Sequence, residues 1–119
     1  MAQQKGFEQL IVPVRPNKKW QWPHLSMETY LKKKRPDQLY DDPWLRTHQK
    51  IGGRVLSICS QSMQFAASRV QWEEWLTQPL PKEGSLEIAN MLFPLQLKDN
   101  MGYYNEANVW VLHPLQKTL

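Results

Sequence analysis

The chain has 119 residues, of which 41% are apolar and 22% charged; these proportions exclude a wholly disordered chain and predict a single domain, residues 1–119. One cysteine excludes an internal disulfide, and no stretch approaches the roughly 20 apolar residues that a membrane helix needs. Since the first thirty residues also lack the apolar core of a secretion signal, we expect a cytoplasmic protein that does not bind membranes.

The charge is distributed unevenly. Residues 1–60 contain 11 Lys and Arg against 5 Asp and Glu, whereas the rest contain 4 against 6, for a formal net charge of +4. A basic half beside a mildly acidic half favours an anionic partner such as nucleic acid. An ordinary solvated surface is the alternative.

Two short strands are predicted near the N-terminus. Residues 10–14 are rich in β-branched side chains, and Pro13 confines them to the edge of a sheet. Residues 18–22 alternate between polar and aromatic side chains, which indicates a second strand that ends at Pro23.

Two short helices follow in the predicted order. Ser26 is a capping residue for a helix over residues 27–34, which ends before Pro36. Asp42 followed by proline is typical of a second helix start, and Gly52 with Gly53 ends that helix.

Residues 54–72 show the clearest periodicity in the chain. At 100° per residue, apolar side chains form one stripe and serine and glutamine form the opposite face, whereas strict strand alternation fails. The pattern predicts a central amphipathic helix. Its uncharged polar face suits contact with another protein surface, and a covering by the chain's own strands is the alternative.

The C-terminal third favours strands. Residues 95–97 and 109–111 resemble a hairpin joined by a polar loop over 98–108, while residues 85–93 fit either a short helix or a strand. The predicted fold class is therefore α+β: a small single domain with a central helix at about 54–72, one or two shorter helices before it, and short antiparallel strands near both ends.

The residues predict no catalytic constellation. His24, His48 and His113 stand apart at spacings that suit no metal site, and Cys59 lies in the apolar stripe of the predicted helix. The adjacent carboxylates Asp41 with Asp42 and Glu73 with Glu74 would point about 100° apart on a helix, so neither pair converges on one substrate atom. Gly52 with Gly53 lacks the spaced glycines of a phosphate-binding loop. We expect a protein that is not an enzyme and has no metal and no cofactor.

Basic and aromatic side chains in the first half predict a nucleic-acid-binding surface. Cations hold phosphates and tryptophan rings stack on bases. The alternatives are tryptophans packed inward and a solvated helix end or nuclear import signal at residues 32–35. The assigned residues are Arg15, Lys18, Lys19, Trp20, Trp22, Lys32, Lys33, Lys34 and Arg35.

The second hypothesis is a protein–protein adaptor or assembly subunit, such as a viral, phage or mobile-element accessory protein. It uses the polar helix face and an exposed tryptophan, and it allows a homodimer. The assigned interface residues are Ser57, Gln61, Gln64, Ser68 and Trp75.

Overall fold

The computed structural model describes residues 9–114, in which five antiparallel strands form one sheet. The strands are β1 (Gln9–Val14), β2 (Arg54–Ser68), β3 (Gly84–Leu86), β4 (Leu95–Lys98) and β5 (Met101–Pro114). Three short helices accompany them: α1 (Met27–Leu31), α2 (Pro43–Lys50) and α3 (Arg69–Leu76). None of these helices is long and apolar enough to cross a membrane.

The long strand β5 organises the sheet. Along one side it pairs with β2, from Arg54 opposite Leu112 to Ser68 opposite Met101. Along its other side it pairs with β1 through residues 109–114 and with β4 through residues 101–103. Residues 104–108 of β5 therefore face a gap between β1 and β4, where no strand within residues 9–114 covers that side.

The prediction of a central amphipathic helix is wrong, because residues 54–68 form β2 and only residues 69–76 are helical. The register of β2 against β5 shifts between Val55 and Ser57 and again between Cys59 and Met63. The first shift places one extra residue in β2, which reverses the face of each later side chain, and the second places two extra residues, which interrupt the alternation without reversing it. The strand therefore lacks a period of two, and its side chains mimic a helical stripe.

Several local predictions are confirmed by the described residues. The strand at 10–14 exists as β1, and the side chain of Ser26 caps α1 by accepting from the backbone of Thr29. The side chain of Asp42 caps α2 by accepting from two backbone N–H groups, with proline at the first helical position. Capping depends on neighbouring residues only, so these signals are readable from sequence.

Other local predictions are wrong. Residues 19–21 form a 3-10 turn instead of a strand, and α1 ends at Leu31 rather than at residue 34. The predicted loop at 98–108 is mostly strand, because β4 and β5 are joined by a tight turn at Asp99 and Asn100. Both turn residues adopt left-handed φ angles, which Asp and Asn tolerate better than most side chains.

The buried apolar side chains form two clusters beside the sheet. The first joins β1, α1 and α2 to the C-terminal half of β5, and its members are Val14, Met27, Tyr30, Leu45, Val109 and Val111. The second joins α3 and β4 to the N-terminal half of β5, and its members are Trp72, Leu80, Ile88, Leu95, Leu97 and Tyr104. Tyr104, at one end of the gap beside residues 104–108, belongs to the second cluster, and Val109, just beyond the other end, belongs to the first.

Candidate functional site

A buried carboxylate stands at the gap in the sheet. Glu106 of β5 is 1% exposed, and it is bound by Arg15, the residue that directly follows β1. Arg15 donates from Nε to Oε1 at 2.7 Å and from a terminal nitrogen to Oε2 at 3.2 Å. This two-point contact matches the fork of a guanidinium to the two oxygens of a carboxylate.

A tyrosine completes the coordination of this carboxylate. The hydroxyl of Tyr104 donates to Oε2 of Glu106 at 2.6 Å and accepts from the backbone N–H of Leu92 at 3.2 Å. Burial and the bond to Glu106 raise the pKa of Tyr104, and the bond to Glu106 raises the pKa of Arg15. Tyr104 therefore remains a neutral donor and Arg15 remains a cation around one negative charge.

Three aromatic rings lie next to this charged group. Phe65, Trp72 and Trp75 have pairwise centroid distances of 5.4 to 5.9 Å and interplanar angles of 70° to 84°. Edge-to-face packing of this kind fixes the ring orientations. Trp72 is buried, whereas Phe65 and Trp75 remain about half exposed. The rings thus form a fixed aromatic corner with accessible surface.

The register of the sheet explains why these groups meet. Met63 lies opposite Glu106 and Phe65 lies opposite Tyr104, so all four side chains project from the same face. Helix α3 starts directly after β2, with Ser68 as its cap, and places its two tryptophans over that face. The result is a pocket of about 380 Å³, within the range of small-molecule sites. It is lined by Arg15, Met63, Phe65, Trp72, Trp75, Met91, Tyr104 and Glu106.

A buried lysine supports the segment that carries Met91. Lys19 is fully buried, and its ammonium donates to the carbonyl oxygens of Trp22 and Leu92, each at 2.7 Å. The same nitrogen lies 4.1 Å from the ring centroid of Phe93. These contacts tie the 3-10 turn to the segment before β4 and so fix one wall of the pocket.

The stability of the fold is expected to rise between pH 8 and pH 10.5 because of Lys19. Burial lowers the pKa of Lys19 from 10.5 to about 8, so in this window the unfolded chain binds a proton that the folded chain has released. The free energy of unfolding should increase by about 3 kcal/mol at most across the window. Urea denaturation over this range checks it, with Lys19→Met as the comparison. Equal slopes in the two proteins would show that Lys19 is not responsible.

Most of the cations predicted to bind nucleic acid contact other groups of the chain. Lys19 is buried, and Lys18 forms an ion pair with Asp41 at 3.3 Å. Lys33 lies over the ring of Trp22, Lys34 lies over the ring of Tyr40, and Arg35 pairs with Asp37. Lys32 ends α1, and Trp20 is exposed. Among the predicted cations, Arg15 alone lines the aromatic pocket.

The residues predicted as a protein interface do not share a helix face. Ser57, Gln61 and Gln64 lie on β2, while Ser68 caps α3. Trp75 lies on α3 and lines the pocket. The common face was a consequence of the wrong helix assignment, because the bulges of β2 separate residues that a helix would align.

The sequence predictions missed most of the pocket. Glu106 and Tyr104 fell in the segment that was read as a loop, and Trp72, Phe65 and Met63 were assigned to an apolar helix stripe. The available signal was the spacing of Tyr104 and Glu106, which puts both on one face of a strand, after a possible turn at Asp99 and Asn100. The partner of Glu106 is 91 residues away, so no local pattern could reveal the pair.

Comparison with known proteins gives one informative similarity. No family model matches the chain and no solved structure matches it. The chain is 37% identical, over 97% of its length, to arginine N-acetyltransferase avaD from Aspergillus versicolor, and it spans about half (47%) of that protein. Because this relative is named as an enzyme, our prediction of a non-enzymatic protein, whether nucleic-acid-binding or an adaptor, is wrong.

Proposed function

We propose that this chain takes part in the transfer of an acetyl group to a nitrogen of arginine and that it contributes the pocket that binds the arginine. The identity of 37% over 97% of the chain to a protein named as an arginine N-acetyltransferase carries the proposal. The pocket supports it independently, because its aromatic walls and carboxylate are groups that attract an organic cation.

The reaction needs an acetyl donor, which we take to be an acetyl thioester. The accepting nitrogen attacks the carbonyl carbon, a C–N bond forms, and the C–S bond breaks. The sulfur leaves as a thiolate with the electron pair of the broken bond and is protonated to a thiol, while the nitrogen loses one proton. Holding the acceptor in a fixed orientation is the contribution that a rigid pocket can make to such a transfer.

The described residues form no glycine-rich loop for the phosphates of an acetyl carrier. A phosphate cradle requires closely spaced glycines whose backbone N–H groups converge, often before a helix. Here Gly52 and Gly53 follow the end of α2, and Gly84 and Gly102 stand alone in strands. We therefore assign no residue of the segment 9–114 to the acetyl donor.

The geometry of the pocket suits the side chain of arginine. A guanidinium is planar and weakly hydrated, so it stacks on aromatic faces more readily than an ammonium does. Trp72, Trp75 and Phe65 provide such faces, and Met63 and Met91 provide apolar contacts for a methylene chain. An arginine bound there would bury its side chain and keep its other end toward the opening.

The test is an acetylation assay with the purified protein. We expect L-arginine and acetyl coenzyme A to give N-acetylarginine, detected by mass spectrometry, together with stoichiometric free thiol. L-citrulline, which carries a neutral urea in place of the guanidinium, is the matched control and should react at least about tenfold more slowly, since it cannot form the charged contacts. Absence of acetylarginine at saturating concentrations of both substrates would contradict the proposal.

A further inference from the structure

We infer that Glu106 is the anchor for the guanidinium of the substrate, and that Arg15 occupies this anchor until the substrate displaces it. The inference rests on the proposed function, since it states how the same pocket recognises arginine. It assigns Glu106 to substrate binding and Arg15 to a placeholder that the substrate replaces.

The first argument is that the chain itself shows a guanidinium bound at this position. Arg15 contacts both carboxylate oxygens of Glu106, at 2.7 and 3.2 Å, at the edge of the aromatic pocket. A second guanidinium needs the same two oxygens at the same spacing. The anchor is therefore already formed in the shape that an arginine side chain requires.

The second argument is the unequal burial of the pair. The side chain of Glu106 is 1% exposed, whereas that of Arg15 is 49% exposed. The guanidinium of Arg15 is already half in water, so it can be hydrated fully once another cation takes its place on Glu106. Glu106 cannot do so, and a buried carboxylate without a partner is strongly unfavourable. Exchange of one guanidinium for another keeps the carboxylate paired throughout.

The third argument is that the substrate gains contacts that Arg15 lacks. Arg15 reaches Glu106 from the end of β1, and no stacking of its guanidinium on an aromatic ring is found in the described residues. A free arginine entering between Phe65, Trp75 and Glu106 would have both the carboxylate and the rings. Tyr104 holds Oε2 in either case, so the carboxylate keeps its orientation during the exchange.

The experiment compares binding to wild-type protein, Arg15→Met and Glu106→Gln by quenching of tryptophan fluorescence at pH 8. The probes are L-arginine, agmatine (arginine without its carboxyl group) and L-citrulline. Removal of the placeholder should tighten the binding of arginine and of agmatine by about tenfold or more, because the ligand no longer competes with a charge-assisted contact to a buried carboxylate. Glu106→Gln should weaken both by about 10- to 100-fold. Arg35→Met, which breaks the exposed pair with Asp37, is the control and should change neither.

Weaker binding of arginine to Arg15→Met than to the wild-type protein would overturn the inference. If Arg15→Met weakens arginine but leaves agmatine unchanged, Arg15 binds the carboxyl group of the substrate and is no placeholder. If Arg15→Met does not fold, Arg15→Lys serves instead: it keeps a charge at Glu106 with a single-point contact, and it should also tighten both probes. Acetyl transfer is measured separately, so acetylation of arginine with an unchanged or raised KM in Arg15→Met rejects the inference and leaves the proposed function intact.

Discussion

Replacement of Glu106 by glutamine is expected to reduce kcat/KM for the acetylation of arginine by about 10- to 100-fold. The amide preserves the size of the side chain and can still accept from Tyr104, but it cannot neutralise a guanidinium. Hydrogen bonds to charged groups contribute about 1.5–3 kcal/mol, which corresponds to this loss. The effect should be mostly on KM, because the lost contact binds the substrate before and during the reaction.

Glu87→Gln is the matched control for this variant. Glu87 is exposed and contacts His24 at 2.6 Å, and it does not line the aromatic pocket. Its substitution should leave kcat/KM for arginine unchanged. If Glu106→Gln remains folded and acetylates arginine as efficiently as the wild type, Glu106 does not bind the substrate.

Replacement of Trp72 by alanine is expected to destabilise the fold by about 3–5 kcal/mol. The indole is 6% exposed, packs in the second apolar cluster, and donates from Nε1 to the carbonyl oxygen of Gly102 at 3.0 Å. Gly102 leaves the space that the indole occupies, since a side chain there would collide with the ring. Truncation would therefore leave a cavity and remove one buried hydrogen bond. Urea denaturation followed by circular dichroism measures the loss.

Trp75→Ala provides the contrast. Trp75 is half exposed and lines the same pocket, so its loss should cost much less stability than the loss of Trp72 while still weakening arginine binding. Equal stability losses for the two variants would contradict the division between a structural ring and a substrate-facing ring.

The parts of the fold that depend on neighbouring residues were predictable. Ser26 and Asp42 cap α1 and α2 because each side-chain oxygen bonds N–H groups two or three positions ahead. The strand at β1 was equally readable from its β-branched residues. These features require no knowledge of the rest of the chain.

Strand β2 was not predictable from its pattern. Its half-exposed side chains include Leu56, Met63 and Phe65, so the usual contrast between an apolar and a polar face is missing. The bulges near Ser57 and between Cys59 and Met63 then remove the remaining alternation. Pairing with residues of β5 that lie 33 to 58 positions later decides the strand, and tertiary pairing of this kind overrides a local helical period.

The candidate site shows the same limit. Arg15 was selected from the sequence for its charge and Trp75 as an exposed tryptophan, but no sequence signal placed the two in one pocket. Glu106 lies 91 residues after Arg15 in the sequence, and the pairing of β1 with β5 brings the two side chains together. The number of cations in the first half of the chain favoured an anionic partner. Some of these cations, such as Lys18 and Lys19, instead contact other groups of the same chain.

The most direct test of the arginine pocket is a crystal structure of the protein with L-arginine bound. We expect the guanidinium of the ligand on the carboxylate of Glu106, in contact with the rings of Phe65 and Trp75, and Arg15 turned toward solvent. Arginine bound elsewhere, with Arg15 still on Glu106 and the aromatic pocket free of ligand, would contradict the account.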